Sequence, residues 1–336
     1  MKTPEQFIKS IDSNKMRGKC FFLFPGILWI DVLEAFSLDP LKNKGSSGDA
    51  APELSRRDLL LGVPIAAGGA VFYGKLLSDA TEKLLRGELV YPESHESRTK
   101  STIAEAVLAS IPQRESGRNE HTTSEGIAGR PLRILEVGIG KDCRIIRRGL
   151  YNDAFREVSS RGVKNIDLVG VDIAAPPSTV METAKDVLRR KAENKNRANV
   201  SFEFVEGSLT SRLDFRDGYF DCVICALTLC SVNDQISALN EIKRVLRKDG
   251  GSFGYIEHVA VNSDEPYRLL EFQQLAFDGI QQIVADNCHL HRYTEDSIYS
   301  VFGVSDGKSR RIARERFLVD GMWPVSCQTT GVIQLS

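Results

Sequence analysis

From residue 131 onward the chain alternates short apolar runs with longer segments of helical spacing, and this alternation restricts the fold more than any other feature. The runs are RILEV (133–137), IDLVGVD (166–172), VSFEFV (200–205), FDCVICAL (220–227) and GSFGYIE (251–257). Between the second and third, Thr179 to Glu182 reads as a capping box that opens a helix to about Asn194. Asn233 is placed to cap a helix carrying Ile236, Leu239 and Leu246, which Gly250 and Gly251 stop. Strands joined by helices of this length form right-handed βαβ units and a mainly parallel sheet. A largely apolar helix is expected from Asp264 to about Ala285, followed by two β-like runs, ARERFLVDG and TTGVIQL. The expected fold class is α/β: a Rossmann-like, seven-stranded, mainly parallel sheet with helices on both faces, formed by residues 131–336.

The first strand runs into Gly138-Ile139-Gly140, where glycines permit backbone conformations that other residues avoid and let a ligand approach the main chain. Two ligands use such a turn. A dinucleotide site requires GxGxxG, with the third glycine packing helix on strand; Cys143 occupies that position, so the pattern fails. A methyltransferase pattern requires an acid two residues before the first glycine, and Glu136 supplies it. S-adenosylmethionine carries no pyrophosphate, so this turn would hold its amino-acid end, with Glu136 near the cationic ammonium. Asp172, closing the second strand and followed by Ile173, is placed to accept hydrogen bonds from both ribose hydroxyls. Gly207, Ser208 and Leu209, after the third strand, would lie against the adenine. Ala226 and Leu227, after the fourth, would line the methyl end. Asp221 begins the fourth strand, at the end of the sheet where ligands do not bind, and reads as structural.

The block from Phe220 to Ala260 resembles the corresponding block of membrane-associated methyltransferase-like proteins, whose animal members are thiol S-methyltransferases. The matching pieces are TLCSV (228–232), the VLR-DGG turn (245–251) and EHVA (257–260), with DNCHLHR (286–292) similar further on. The resemblance implies a class I S-adenosylmethionine-dependent methyltransferase, of the methyltransferase type 11 kind. It implies a cofactor site at Glu136, Gly138, Gly140, Asp172, Ser208 and Leu209. The apolar helix, from Tyr267 to Val284, is expected to face that site and so to suit a small, lipophilic acceptor, thiol or quinone-like. Glu257 and His258, ending the fifth strand, are candidates to face that acceptor, with His289 and His291 behind them. Two departures stand out. Asp142 replaces the third glycine of ExGxGxG and is expected to cap the next helix. Asp172 follows Gly140 by 32 residues rather than the roughly 20 usual between glycine turn and ribose acid, which predicts an inserted turn or loop near 150–165. These departures keep open an alternative: a catalytically weak methyltransferase-fold protein that binds a partner or membrane.

Residues 1–100 read as an extension. CFFLFPGILWI (20–30), preceded by Lys15, Arg17 and Lys19, has the order of a signal peptide and is too short to span a bilayer; Ala35-Phe36 follows. Arg56 and Arg57 precede a second modest apolar run within 55–73, resembling a twin-arginine signal. Together, segments 20–36 and 55–73 resemble the bipartite plastid leaders of algae with complex plastids. Plastid localisation, with thylakoid association, is expected; an endomembrane anchor with peripheral membrane contact is the alternative. Spacing predicts an amphipathic helix over 75–87, loops over 92–101 and 112–130, and a short helix over 101–111 within the 101–130 connection.

The formal net charge of -1 removes a global basic field for nucleic acid, and no nucleic-acid partner is expected. Seven cysteines without regular spacing argue against a disulfide framework. No metal is expected: Cys222 and Cys225 form a CxxC, but on a strand they point to opposite faces.

Overall fold

The computed structural model describes residues 90–111, 130–192 and 198–336, together with single positions 75, 79 and 83. The leader-like segments 20–36 and 55–73 and the connection 112–129 lie outside the described residues. Lys75, Asp79 and Lys83, within the helix expected over 75–87, are helical and exposed.

Helix α1 (Glu93–Ala109) precedes β1 (Leu132–Val137), α2 (Arg144–Arg147), α3 (Asn152–Ser160), β2 (Asn165–Asp172), α4 (Ser178–Ala192) and β3 (Asn199–Glu206). Then come β4 (Cys222–Ala226), α5 (Gln235–Val245), β5 (Ser252–His258), α6 (Arg268–Val284), α7 (Thr294–Phe302), β6 (Ser309–Leu318) and β7 (Cys327–Leu335). The seven strands form one sheet in the order β3-β2-β1-β4-β5-β7-β6. The first five are parallel, and β7 runs antiparallel between β5 and β6. This is the expected Rossmann-like sheet.

The apolar runs become strands because both faces of the sheet are covered. Ile134, Ile166, Leu168 and Ile224 pack on one side with Ile103 and Val107 of α1, Phe155 of α3 and Leu188 of α4. Leu135, Val137, Val223 and Phe253 pack on the other with Leu239 and Ile242 of α5 and Ile298 and Phe302 of α7. Cys222 belongs to the first layer and Cys225 to the second, on opposite faces as their spacing requires. Asp221 is buried at the amino end of β4, where both its oxygens accept from Arg130 at 2.7 Å and Oδ2 from the Arg133 amide at 3.0 Å. Its role is structural, as expected.

Four expectations need correction. Residues 93–101, expected as loop, form the first half of α1. Its buried stripe, His95, Thr99, Thr102, Ile103 and Ala106, has helical spacing but is largely polar. The polar members find partners: the Thr99 hydroxyl donates to the His95 carbonyl at 2.8 Å, and His95 Nδ1 lies 2.7 Å from Gln328 Oε1. Asp234 rather than Asn233 caps α5, its Oδ1 accepting from the Ser237 amide at 2.9 Å. Asn233 instead accepts from Asn287 Nδ2 at 2.7 Å. Asp142 caps nothing: Cys143, in left-handed conformation, takes the N-cap of α2 without a side-chain cap bond. Finally, α6 begins at Arg268 and is turned outward. Its buried residues are Gln274 and Gln281, while Leu269, Phe272, Leu275 and Ile283 are exposed. Its inward face thus carries buried glutamines beside Leu270, which packs against Val259, Val261 and Cys327, rather than a continuous apolar stripe. Among the described residues, no helix is long and apolar enough to cross a membrane. The extra length between Gly140 and Asp172 is accounted for by α2, a turn at Gly149 and α3.

Helix α1 is seated on β5 through Gly254, where an added Cβ would stand 2.8 Å from the Ala106 Cβ and 3.0 Å from Ile224 Cδ1. Gly254→Ala is expected to lower stability by about 1–3 kcal/mol through overpacking. Ala106→Gly in the same chain should recover part of that loss; thermal unfolding of the two variants checks both statements.

Candidate functional site

The carboxyl ends of β1, β2, β3 and β4 bring the predicted residues to one edge of the sheet. Gly138 and Gly140 both have positive φ, 69° and 68°, so the turn after β1 depends on residues without a Cβ. A Cβ on Gly138 would be driven into the Thr228 side chain. The Gly138 amide donates to the Val171 carbonyl at 2.7 Å, and the Gly140 amide donates to Asp172 Oδ2 at 2.9 Å. The glycine turn and the acid closing β2, separated by 32 residues, are thus directly bonded. Asp172 Oδ1 accepts from the Ile173 amide at 2.7 Å. Each carboxylate oxygen has a second acceptor site beyond those bonds. Ile173, beside it, is 73 % exposed.

The third segment joins the same edge: the Gly207 amide donates to the Asp172 carbonyl at 2.9 Å. Leu209 is buried with Val171 and Leu213, and the Ser208 hydroxyl lies 2.9 Å from that of Thr210. At the fourth, Ala226 leads into Leu227, whose φ of 54° is strained for a branched side chain. The Leu227 amide donates to the Ile256 carbonyl at 2.8 Å.

Glu136 is buried beneath the turn, and its Oε2 has no partner among the described residues. Burial pushes its carboxyl up to about 7, against the Tyr151 hydroxyl and the Arg144 guanidinium, which favour the charged form. Arg144 pairs with Glu96 at 3.0 Å and lies 4.2 Å over the Tyr91 ring, which stacks on His95. The start of α1 therefore approaches the glycine turn through groups that the sequence reading did not single out. Asp142 leans on the turn: its Oδ1 would be 3.4 Å from a Cβ on Gly140, and burial raises its carboxyl.

At the end of β5 the two catalytic candidates behave differently. Glu257 is fully buried, and its Oε1 accepts from the amides of Thr228 at 2.9 Å and Leu229 at 3.1 Å, and from Cys225 Sγ at 3.4 Å. It anchors the loop after β4. His258 sits 3.0 Å from Cys288 Sγ through Nε2. With Cys230 these form a buried trio whose ligand-type atoms all lie within 4.8 Å of one another. The Cys230 thiol hydrogen-bonds Cys288 and holds that sulfur well below the usual thiol range, against burial and with help from His258. His258 is raised: burial opposes its charge, and Cys288 and Glu257 outweigh burial.

Two loops carry the trio, and they are stitched together. The His289 amide donates to the Cys230 carbonyl at 2.9 Å, and Asn287 Nδ2 to the Ser231 carbonyl at 2.9 Å. Arg292 donates to the carbonyls of Leu229 at 3.0 Å and Val232 at 2.6 Å. Asp278 of α6 accepts from the amides of Leu290 at 2.6 Å and His291 at 3.1 Å. His289 lies 3.8 Å from Asp278, and His291 packs edge-on against Tyr293; neither belongs to the trio. The sequence reading had singled out both cysteine-bearing segments, TLCSV and DNCHLHR, for other residues; no ligand spacing links them. A depression lined by Glu105, Arg161, Arg247 and Arg310 lies at the amino end of β5, away from all of these groups.

Residues 155–253 match the family described as methyltransferase domain. The glycine turn bonded to the acid of β2, the sheet order and this match define the class: the domain is of the class I S-adenosylmethionine-dependent methyltransferase superfamily. Among particular proteins, the chain is similar to human thiol S-methyltransferase TMT1A, 37% identical over 109 residues, covering 32% of this chain and 42% of the relative. Human thiol S-methyltransferase TMT1B is 36% identical over 111 residues, 33% of this chain and 43% of the relative. The chain thus spans about two-fifths of the length of these relatives. Among solved structures, a putative sarcosine dimethylglycine methyltransferase from Galdieria sulphuraria aligns with TM-score 0.43 and 11% identity, covering 76% of this chain and 97% of that one.

Asp278→Ala would leave the Leu290 and His291 amides without their acceptor. We expect their hydrogen exchange to quicken and the loop to lose about 1–3 kcal/mol of local stability. Exchange measured residue by residue checks this, with α5 amides as the unaffected control.

Proposed function

We propose that this chain transfers the methyl group of S-adenosylmethionine to a small thiol acceptor. One observation carries the donor half: the Gly140–Asp172 bond brings a close-approach turn and a carboxylate with spare acceptor sites to one point. S-adenosylmethionine supplies a methyl group on a cationic sulfonium, so the protein's task is alignment of acceptor sulfur, methyl carbon and leaving sulfur. The residues fit that molecule. Asp172 takes the ribose hydroxyls, and Ile173 and Leu209 flank the base. Gly207 and Ser208 offer main-chain and hydroxyl groups to it. Gly138 and Gly140 admit the amino-acid end, and Ala226 and Leu227 bound the methyl end. The unpartnered Oε2 of Glu136 is the group a bound cation would satisfy. Similarity to two human thiol S-methyltransferases over about a third of the chain supports a thiol as acceptor.

A second reading, a methyltransferase-fold module of weak donor affinity, is favoured by one observation: the Asp142 carboxylate lies against Gly140. Calorimetry separates the two. Micromolar donor binding supports the enzyme, and none at millimolar donor supports the module. Asp172→Ala should weaken binding by at least about tenfold, the value of one hydrogen bond to a charged group. Glu136 has a direction of its own. Its carboxyl is raised to about 7, so below that pH it is neutral and above it anionic. Affinity for the cationic donor should therefore rise as pH climbs through that value, and Glu136→Gln should flatten the profile.

Plastid delivery by segments 20–36 and 55–73 belongs to the same proposal. Residues 1–100 fused to a fluorescent protein are expected to enter plastids, and an endomembrane pattern would count for the alternative.

A further inference from the structure

The Cys230–His258–Cys288 trio is not used by the donor site, yet it is the most organised group of nucleophilic side chains among the described residues. We propose that it binds a divalent ion of the zinc class, leaving one coordination position for the sulfur of the acceptor. The second half rests on the thiol-transfer reading above; the first does not.

Donor chemistry comes first. Two thiol sulfurs and one imidazole nitrogen are the set that suits zinc, and alkaline-earth ions do not use it. Geometry comes second. All three atoms lie within 4.8 Å of one another. Bond lengths of about 2.3 Å to sulfur and about 2.0–2.1 Å to nitrogen place tetrahedral ligand atoms roughly 3.5–3.8 Å apart. The 3.0 Å separation of His258 Nε2 and Cys288 Sγ thus needs to open by well under an ångström.

The third argument is construction. His258 ends β5. Cys230 is held through its carbonyl by the His289 amide and through its neighbours by Glu257. Cys288 follows two consecutive left-handed residues, Asp286 at φ 49° and Asn287 at φ 63°, and Asn287 is itself bonded to the Cys230 loop. Three segments are therefore pinned from outside so that three soft ligand atoms meet, an arrangement that metal sites use to orient their ligands. All three residues are buried.

The fourth argument is place and ligand number. Cys230 follows by two residues Thr228, whose side chain packs on Gly138 of the donor turn. No other His, Cys, Asp or Glu among the described residues completes the set. Three protein ligands with an open position are the form of zinc sites that bind substrate, whereas structural sites are closed with four. In the step this permits, the acceptor thiol gives its proton to water as its sulfur binds the metal. A sulfur lone pair then forms the new bond to the donor's methyl carbon. The methyl–sulfonium bond breaks with its electron pair passing to the donor sulfur, which becomes a neutral thioether. The methylated product, also a thioether and a weaker ligand than thiolate, leaves the metal. No oxidation state changes.

The test uses the full chain purified under reductant, with zinc content by elemental analysis, zinc affinity by competition with a chromophoric chelator, and cobalt(II) as spectroscopic probe. We expect one ion per chain and cobalt absorption with thiolate charge-transfer and strong tetrahedral bands. Cys230→Ser, His258→Gln and Cys288→Ser should each weaken zinc binding by about 100-fold or more. Their far-UV circular dichroism should match the parent, and His258→Cys, which restores a soft ligand, should retain binding. Absence of zinc and cobalt uptake by the parent overturns the site. So does zinc binding by the three variants as tight as the parent's, or a Cys230–Cys288 disulfide that forms in air as fast with zinc as without it. A small alkyl thiol should shift the cobalt charge-transfer band; an unchanged spectrum on a loaded site overturns the open position. A shifted band without any methyl transfer keeps the metal site and counts against the thiol-transfer reading instead.

Discussion

The bond from the Gly140 amide to Asp172 is the joint on which the donor edge turns. It sets the height of the glycine turn over β1, because Gly138 is held at the same time by the Val171 carbonyl. It also orients Asp172, whose main-chain carbonyl receives the Gly207 amide and so places the loop after β3. A single carboxylate residue thereby registers three loops against one another. Both glycines need positive φ, and Thr228 fills the space a Cβ on Gly138 would take, which brings the loop after β4 into the same registration. The edge is therefore one mechanical unit, although its parts are spread over some ninety residues of chain.

Buried polar groups do similar work around that edge. Glu257 spends one oxygen on two amides and a thiol to hold the start of the Cys230 loop. Asp278 does the same for the Cys288 loop from α6, and Gln274 of the same helix pairs with the Val261 amide and the Val259 carbonyl. This explains why α6 buries Gln274 and Gln281 beside Leu270, while Leu269, Phe272 and Leu275 stay exposed. Its inward face is a hydrogen-bonding scaffold for loops, whose backbone groups need partners that apolar side chains do not offer. Helix α1 follows the same logic with His95 and Thr99.

What was legible in the sequence follows from these facts. Four of the five parallel strands were readable because strands buried on both faces appear as continuous apolar runs, as in IDLVGVD and FDCVICAL, and the edge strand β3 because VSFEFV alternates apolar and polar residues. The glycine turn and Asp172 were readable because their chemistry is local to strand ends. The first half of α1 was not, since its buried stripe is His, Thr and Thr, and periodicity of apolar residues is blind to a polar face with tertiary partners. The orientation of α6 was misread for the converse reason: apolar residues at helical spacing were taken to face inward. The cap of α5 slipped by one residue because Asn233 and Asp234 are both good caps, and Asn287, far along the chain, claims the first.

The trio of Cys230, His258 and Cys288 is the extreme case. Its members lie 28 and 30 residues apart, with no spacing that local geometry requires, whereas the CxxC that does have a familiar spacing is split across the sheet. On a parallel sheet, groups converge when they end neighbouring strands, and β4 and β5 are neighbours. Residues just past those strand ends meet whatever their separation in the chain, and the segment after α6 is brought to them by Asp278. Strand adjacency, rather than sequence spacing, is thus the quantity that selects which cysteines can act together in this domain.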